Sequence, residues 1–344
     1  MVYLDPDRKD KQQSASELVP YADQGRRLAV KLGLDPYPVK YWVVDHEEMN
    51  RLQAYGGFQD RYPHWRWGMS YYRRKMEDRF TSGHVFEIVI NDNPAHAYLQ
   101  NSSDLATQKS VISHVEAHSD FFKNNTAFKG LADISATKQL RRNKERIEEI
   151  IQDENVSRKE VEEWIDALLC IEDNIDQFNF DLSSLSEPQP EAESQLSESE
   201  IEDNLKDSGF GSEMVKKIME EADGFEEEIL EDDKPTEYTD LMQALVTNGM
   251  YYDEDREKAV EMEDWQKSVI HIIRSESYYF APQKMTKFLN EGWATFWQSM
   301  MMSNENFASE GEIIKHAELL SSVISSNGMN PYKIGYNLWE YIEN

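Results

Sequence analysis

The amino-acid sequence predicts an α+β protein that is dominated by helices, contains a small mixed sheet and is interrupted by an acidic insert. Apolar residues recur at helical spacing through most of the 344 residues, whereas a few short runs rich in Val, Ile, Tyr and Trp have the composition of strands. One stretch differs sharply in charge from its flanks. A chain of this length can bury a sizeable core in one large domain or two smaller ones.

Three segments of the first half have strand character. KYWVVD at 40–45 and HVFEIVIND at 84–92 are rich in β-branched and aromatic residues, and AHAYLQN at 95–101 is extended in character. Asn93-Pro94 interrupts the last two. Because proline cannot donate a ladder hydrogen bond, we expect a strand at the edge of the sheet here.

Apolar spacing and helix-stop residues predict the helices. The predicted segments are 17–32, ended by Gly33 and Pro36, 104–124, a peripheral hairpin of 136–154 and 158–175, and, after the insert, 262–280, 282–303 and 312–324. Pro282 is expected at the start of its helix. Between the first strand and the second, residues 54–80 form an aromatic, glycine-marked loop that could be a packed lid or a ligand wall.

The acidic stretch defines the predicted domain organisation. Residues 181–240 contain 21 acidic residues and 4 lysines, so they contribute −17 of the formal charge of −30. Few of their side chains could form a core, and we expect the stretch to be largely disordered, with one short helix after Ser212. Residues 1–180 and 241–344 are then two parts of one domain, and 181–240 is an insert.

Composition excludes several classes of partner. A net charge of −30 without a basic stripe argues against nucleic acid or an anionic membrane surface. No run of about 18 apolar residues predicts a membrane span, and the polar start lacks a signal-peptide core. The single Cys170 cannot form an internal disulfide. We therefore expect a cytoplasmic protein, and the acidity is also compatible with a salt-adapted proteome.

Three residues on two helices predict a metal site. His114 and His118 are four residues apart, so their imidazoles emerge on one helix face. Glu291, in LNEGWATFW on a later helix, supplies a third ligand. A His, His, Glu set is a known catalytic zinc combination that leaves a position for water. The same spacing is also compatible with a buried polar network without metal.

Several long motifs carry a resemblance to a known family. They are AYGGFQDRYPHWRWGM, FEIVINDNPAHAYL, HVEAHSDFFKNN, SYYFAPQKMTKFLNEGWATFW and NPYKIGYNLWEYIEN. Together they resemble the stage V sporulation protein R (SpoVR) family, whose members usually continue past the last motif. The resemblance implies a role linked to sporulation or stress. It also implies a PrkA-like serine kinase and a von Willebrand-type domain protein as partners.

A second resemblance implies a mechanism. HVEAHSDFFKNN followed by FLNEGWATFW is similar to the gluzincin aminopeptidases, in which an HExxH helix precedes an NEGFA helix whose Glu completes the zinc site. The resemblance implies a zincin-like core in which the edge strand binds a peptide substrate. Three further residues are expected to support the ligands by hydrogen bonds. They are Gln298, Asp120 and Asn290, which directly precedes Glu291. In the SpoVR family the position of Gln298 is often His.

One departure from the gluzincin pattern concerns the general base. The residue after the first His is Val115, where HExxH has the Glu that activates water. Glu116 lies about 200° around the helix from His114 and therefore points away from the metal face. A base must come from another segment. We favour Glu87 of the edge strand or His64 of the aromatic loop.

Two functions remain open at this point. The first is a zinc-dependent hydrolase of peptide or cell-envelope amide bonds. The second is a non-catalytic metal-binding or scaffold component of a stress or sporulation signalling complex. Val115 favours the second, and the joint presence of His114, His118 and Glu291 favours the first.

Overall fold

The structure, a computed structural model, describes residues 2–3, 9–77, 87–131, 135–178, 240–253, 257–325 and 329–343. The strands are β1 (Val2–Tyr3), β2 (Val39–Val44), β3 (Glu87–Ile90), β4 (Ala95–Gln100), β5 (Met250–Asp253) and β6 (Lys258–Glu261). The helices are α1 (Lys9–Lys31), α2 (His46–Ala54), α3 (Trp65–Glu77), α4 (Leu105–Asn124), α5 (Ala136–Gln152), α6 (Arg158–Leu169), α7 (Leu241–Asn248), α8 (Asp264–Met285), α9 (Lys287–Met302), α10 (Glu310–Ile324) and α11 (Pro331–Glu343), with a 3-10 helix at Thr126–Leu131. The helix-dominated α+β architecture is confirmed.

The first four strands form one mixed sheet in the order β1-β2-β4-β3. Strand β2 is parallel to both β1 and β4, whereas β3 is antiparallel to β4, with Glu87 opposite Leu99 and Ile90 opposite His96. Strand β3 is thus an edge strand, as its sequence predicts, and β1 lies at the opposite edge. Among the described residues, no strand pairs with the outer side of β3. Its free backbone groups could therefore pair with an extended ligand.

Helix α4 is buried on all sides, since every residue from Thr107 to Phe122 is buried. Asp104 caps the helix by accepting a hydrogen bond from the backbone N–H of Thr107 at 3.0 Å. Val111 and Val115 pack in a core that also contains side chains of α1, β2 and β4. Helix α4 also packs against α9. A helix buried in this way must pair its polar side chains within the protein.

Helices α9 and α11 cross with their backbones in contact. A Cβ atom on Gly292 would lie 2.4 Å from the Cα atom of Gly335, so only glycine fits at the crossing. The close approach places Tyr332, in the first turn of α11, beside Glu291 of α9.

A second apolar core joins the helices on either side of the insert. The hairpin of α5 and α6 contributes residues such as Ile147 and Ile165, which pack with residues of α7 and α8. Asp240 caps α7 and accepts hydrogen bonds from Arg274 Nε and the Tyr278 hydroxyl, both at 2.7 Å. The last residue of the predicted insert therefore belongs to the folded part. The remaining residues of the insert, with the helix predicted after Ser212, lie outside the described residues.

Three predictions about local structure are wrong. Helix α8 continues through Pro282 to Met285, and α9 begins only at Lys287. Buried neighbours such as Tyr278 and Tyr279 hold the last turn in place although Pro282 lacks an N–H. The aromatic loop is helical from Trp65 to Glu77. The hairpin β5–β6 lies in residues 241–344, where the sequence predicts only helices.

Within the described residues, no helix combines the length and the apolar composition needed to cross a bilayer.

Candidate metal centre

The three predicted ligands meet in the folded protein. His114 and His118 of α4 and Glu291 of α9 are all buried, and their ligand atoms lie within 4.8 Å of one another. The Nε2 atoms of both histidines are 3.6 Å from Oε2 of Glu291. Zinc bonds of about 2.0–2.2 Å at tetrahedral angles would place ligand atoms roughly 3.3–3.6 Å apart. The two distances between histidine and glutamate therefore suit one ion of this size.

Side-chain amides orient both imidazoles. Nδ1 of His118 lies 2.8 Å from Oδ1 of Asn290, and Nδ1 of His114 lies 2.9 Å from Oε1 of Gln298. With Nδ1–H donating to these oxygens, each Nε2 presents a lone pair towards Glu291. Asn290 and Gln298 are thus the two amides that contact the predicted ligands.

A chain of hydrogen bonds determines the orientation of Gln298. Its Nε2 donates to the Ser110 hydroxyl at 2.6 Å, so its Oε1 is left to accept from His114. Ser110 in turn lies 2.9 Å from Nδ1 of His316. His316 is buried. Burial and the nearby charge of His114 lower its pKa to about 4, so His316 is neutral at pH 7 and can accept from Ser110.

The three predicted ligands are chemically suited to a metal ion, because two of their buried atoms lack a partner in the described part of the chain. His114 Nε2 and Glu291 Oε2 are buried atoms with no hydrogen-bond partner among the described residues. Unpaired buried polar atoms are uncommon and costly, by about 1–3 kcal/mol each. Two imidazole nitrogens and a carboxylate oxygen are a set that zinc accepts. A bound zinc ion would satisfy both atoms.

The charges of the cluster are strongly coupled. Burial opposes ionisation of Glu291, but its contacts with His114 and His118 and the charge of Lys287 hold its pKa well below the usual range. Burial also opposes protonation of His114, yet Glu291 and Glu87 outweigh it and raise the pKa of His114. A metal ion binds the neutral imidazole, so metal binding and protonation compete for Nε2 of His114.

Glu87 lies beside the cluster. Its Oε1 is 3.8 Å from Nε2 of His114, and a fifth of its side chain is exposed. The first residue of β3 thus brings a carboxylate to the ligands from outside α4. Its position is compatible with the base role that the sequence suggests.

His64 lies elsewhere. Its side chain is buried against α6, with Nε2 3.4 Å from the Glu162 carbonyl and 3.5 Å from Asp166 Oδ1. Burial lowers its pKa. Among the described residues, the polar partners of the His64 side chain belong to α6 and to Arg66, and none is a member of the metal cluster. The structure therefore brings Glu87, and not His64, to the predicted ligands.

Val115 and Glu116 both face away from the cluster. Val115 is completely buried in the core shared with the sheet. Glu116 accepts hydrogen bonds from the Tyr41 hydroxyl at 2.7 Å and from Arg26 Nη1 at 3.0 Å. Neither residue can act on a ligand at the metal centre without a rearrangement of the helix.

Asp120 is predicted to support the ligands, but its hydrogen bonds connect other parts of the fold. It accepts from the backbone N–H of Asp35 at 2.7 Å and from Trp293 Nε1 at 2.9 Å. The second bond ties α4 to α9. Asp120 thus acts on the packing of the two helices rather than on an imidazole.

The cluster opens into a cleft of about 430 Å³. Residues Glu87 to Val89 of the edge strand line it, together with His118, Asn290 and Glu291. Sequence reasoning missed two further lining residues, Lys287 and Tyr332. Lys287 Nζ is 2.6 Å from Glu291 Oε1. The sequence contains a signal for each residue. Lys287 is four residues before Glu291, and Tyr332 lies in the motif NPYKIGYNLWEYIEN.

Comparison with known proteins assigns the chain to a family. The family described as "SpoVR like protein" matches residues 12–344, nearly the whole chain. The chain belongs to the SpoVR-like family. All three ligands, Glu87 and both supporting amides lie within the matched region of this SpoVR-like protein.

A relative with a longer chain also matches. The SpoVR-like protein is 27% identical over 333 residues to a protein of Escherichia coli K12 named "Uncharacterized protein YcgB". The match covers 92% of the chain and 61% of YcgB, so the chain spans less than two thirds of this relative. No solved structure matches. The zincin-like core therefore stays a prediction from the sequence motifs.

Proposed function

We propose that this SpoVR-like protein is a zinc-dependent hydrolase of peptide or cell-envelope amide bonds. One observation supports the proposal. His114, His118 and Glu291 converge beside the edge strand β3, and two of their buried atoms, His114 Nε2 and Glu291 Oε2, have no hydrogen-bond partner among the described residues. His114, His118 and Glu291 would hold the ion. When bound, zinc would supply Lewis-acid activation of the attacking water and of the scissile carbonyl.

Glu87 is the residue that moves protons in this proposal. Its carboxylate accepts a proton from the attacking water and delivers it to the leaving nitrogen. Glu87 stands on the edge strand, where the substrate backbone would pair by strand addition. The base and the substrate are thus positioned by the same four-residue strand.

Tyr332 is the hydrogen-bond donor in this proposal. Burial and the neighbouring carboxylates of Glu291 and Glu87 raise its pKa, so the hydroxyl keeps its proton. It donates a hydrogen bond to the carbonyl oxygen as that oxygen gains charge. Helix α11 holds the ring close to His114, with ring centroids 6.3 Å apart.

The proposal is tested first by metal content. Protein purified without chelator should contain close to one zinc per chain by elemental analysis, and the double variant His114→Ala, His118→Ala should contain almost none. The matched control is His46→Ala, an exposed histidine on α2. Equal metal content in the wild type and the double variant would refute the metal site.

Activity is tested on the same preparations. A quenched-fluorescence peptide library and cell-wall peptide fragments are incubated with zinc-loaded protein, with chelated protein and with the double variant. Hydrolysis should occur only in the first. Hydrolysis that survives both chelation and loss of the histidines would come from another source and would contradict the proposal.

A second candidate function is a non-catalytic, metal-binding component of a stress or sporulation signalling complex. The observation in its favour is Val115, which leaves α4 without a base of its own and is part of the core. The partners would be a PrkA-like kinase and a von Willebrand-type domain protein in the cytoplasm. Stoichiometric zinc and stable co-purification with such a kinase, without hydrolysis of any peptide tested, would favour this candidate.

A further inference from the structure

A series of three hydrogen bonds leads from the metal centre to His316 of α10. Nδ1 of His114 lies 2.9 Å from Oε1 of Gln298, whose Nε2 donates to the Ser110 hydroxyl at 2.6 Å. The same hydroxyl lies 2.9 Å from Nδ1 of His316. The series ends there, because Nε2 of His316 has no hydrogen-bond partner among the described residues. Ser110 and His316 are both buried, so the serine hydroxyl depends on protein partners.

The chemistry of each group gives the series a direction. A serine hydroxyl has one proton to donate. Ser110 accepts from Gln298, so its own proton goes to His316, whose Nδ1 must carry a lone pair. A pKa of about 4 keeps His316 neutral at pH 7, so the lone pair is available. The acceptor on His316 thus holds the amide of Gln298 with Oε1 towards His114.

The opposite direction would be incompatible with a bound ion. Without an acceptor at position 316, the buried Ser110 proton would turn to Gln298, whose amide would rotate to present Oε1. Gln298 Nε2 would then donate to Nδ1 of His114, and the imidazole would carry its proton on Nε2. Nε2 is the atom that lies 3.6 Å from Oε2 of Glu291, so the lone pair that a metal needs would be lost.

Helix α10 is fixed against α4 beside this series. Lys109, next to Ser110, donates from Nζ to the Phe307 carbonyl at 3.0 Å and to Oε2 of Glu312 at 2.8 Å. Glu312 lies one helical turn before His316. The acceptor is therefore in place before any ion binds, as a supporting group must be.

We propose that His316 is a positioning residue of the metal centre: its Nδ1, acting through Ser110 and Gln298, selects the tautomer of His114 that can bind an ion. The inference rests on the metal site of the proposed function and not on hydrolysis. It adds a residue of α10 to a site whose ligands come from α4 and α9.

Zinc affinity, measured on the full chain by competition with a fluorescent chelator, tests the proposal. His316→Leu removes the acceptor and should weaken zinc binding by about tenfold or more, the usual scale for loss of a group that orients a ligand. His316→Asn places Oδ1 near the position of Nδ1 and should remain within about threefold of the wild type. Ser110→Ala should behave like His316→Leu. The matched control is Ser113→Ala, because the buried Ser113 hydroxyl donates to the Lys109 carbonyl of its own helix at 3.0 Å.

The Gln298→Glu background separates positioning from a general effect on packing. A carboxylate only accepts, so it can receive the protons of His114 Nδ1 and of Ser110 whatever residue stands at position 316. In this background, His316→Leu should change the zinc affinity by less than about twofold. An equal loss of affinity in both backgrounds would show that His316 acts only on packing and would overturn the proposal.

The tautomer of His316 gives a second readout that needs no metal. Nitrogen-15 NMR of the metal-free protein at about pH 7 should show the wild-type His316 with its proton on Nε2. In Gln298→Glu, where Ser110 donates to the new carboxylate, Nδ1 of His316 should carry a proton. A proton on Nδ1 of His316 in the wild type would overturn the proposal even if zinc binds.

The outcomes separate this proposal from the proposed function. A loss of zinc affinity in His316→Leu that His316→Asn restores, without hydrolysis of any peptide, supports the positioning role and refutes only the hydrolase. Zinc-dependent hydrolysis with equal zinc affinity in the wild type and His316→Leu refutes only the positioning role. A wild type without zinc affinity refutes both. Melting curves show whether each variant is folded, and Ser110→Ala replaces His316→Leu if the latter does not fold.

Discussion

Glu87 Oε1 lies 3.8 Å from Nε2 of His114, so a carboxylate of the edge strand faces the predicted metal ligands of the central helix. The contact joins two segments that are 27 residues apart in the sequence. It offers an alternative to the glutamate that HExxH proteins carry on the helix itself.

The Glu87→Gln variant should lower turnover of a cleaved peptide by roughly 100-fold or more, the usual scale for loss of a general base. Zinc content should stay near that of the wild type, because Glu87 is not one of the three ligands. Glu116→Gln is the control: its side chain faces Tyr41 and Arg26, so turnover per folded molecule should hardly change. Unchanged turnover in Glu87→Gln would remove Glu87 from the mechanism.

The Gln298→Met variant should weaken zinc binding by about 10- to 100-fold, because His114 loses the acceptor that orients its ring. Competition with a fluorescent zinc chelator measures the affinity. Gln283→Met, in the wall of the same cleft, has no bond to a ligand and should bind zinc as the wild type does. Equal affinity in both variants would show that Gln298 does not support the site.

The Val115→Glu variant would recreate HExxH in sequence but should not create a peptidase. Val115 is fully buried among apolar residues, so the new carboxylate would be desolvated without a partner. We expect a loss of about 3 kcal/mol or more in the free energy of unfolding, measured with urea. Val30→Glu, at a position that is 54% exposed on α1, should cost far less. A stable Val115→Glu protein with peptidase activity would contradict this orientation of α4.

The Gly292→Ala variant tests the helix crossing. Its new methyl group would meet backbone atoms of Gly335 at 2.2–2.4 Å, so α11 must move and carry Tyr332 with it. We expect a loss of about 1–3 kcal/mol in stability, together with lower turnover. Gly311→Ala, in α10, has open space around it and should lower neither stability nor turnover. A fully stable and active Gly292→Ala protein would show that the crossing is not tight.

His316 predicts a specific pH dependence of stability. Its folded pKa of about 4 is below the usual 6.5 of an unfolded histidine, so between these values the unfolded state binds more protons. Its contribution is fully present above about pH 6.5 and is lost as pH falls towards 4. From pH 7 to pH 5 the loss should reach roughly 2 kcal/mol.

Urea unfolding of the wild type and His316→Gln at pH 7 and pH 5 measures this contribution, and the variant should lose less stability on acidification. His46→Gln, on the exposed side of α2, is the control and should follow the wild type. If His316→Gln loses as much as the wild type, the buried histidine is not neutral.

Local signals in the sequence were sufficient for the main elements and for the ligands themselves. Val- and aromatic-rich runs become β2, β3 and β4, and the apolar spacing around His114 becomes α4, because both patterns act within a few residues. His114 and His118 share a helix face by helical geometry alone. The motif LNEGWATFW indicates Glu291 as the third ligand without information on its position in space.

Tertiary structure alone decided how the other residues are used. His64 and Glu87 are equivalent candidates in the sequence, but packing places His64 against α6 and Glu87 against the ligands. Tyr332 reaches the cleft only because Gly292 and Gly335 allow two helix backbones to touch. Such contacts join residues far apart in the chain, and their free energy depends on the whole core. Sequence periodicity, which acts over a few turns of helix, holds no information on them.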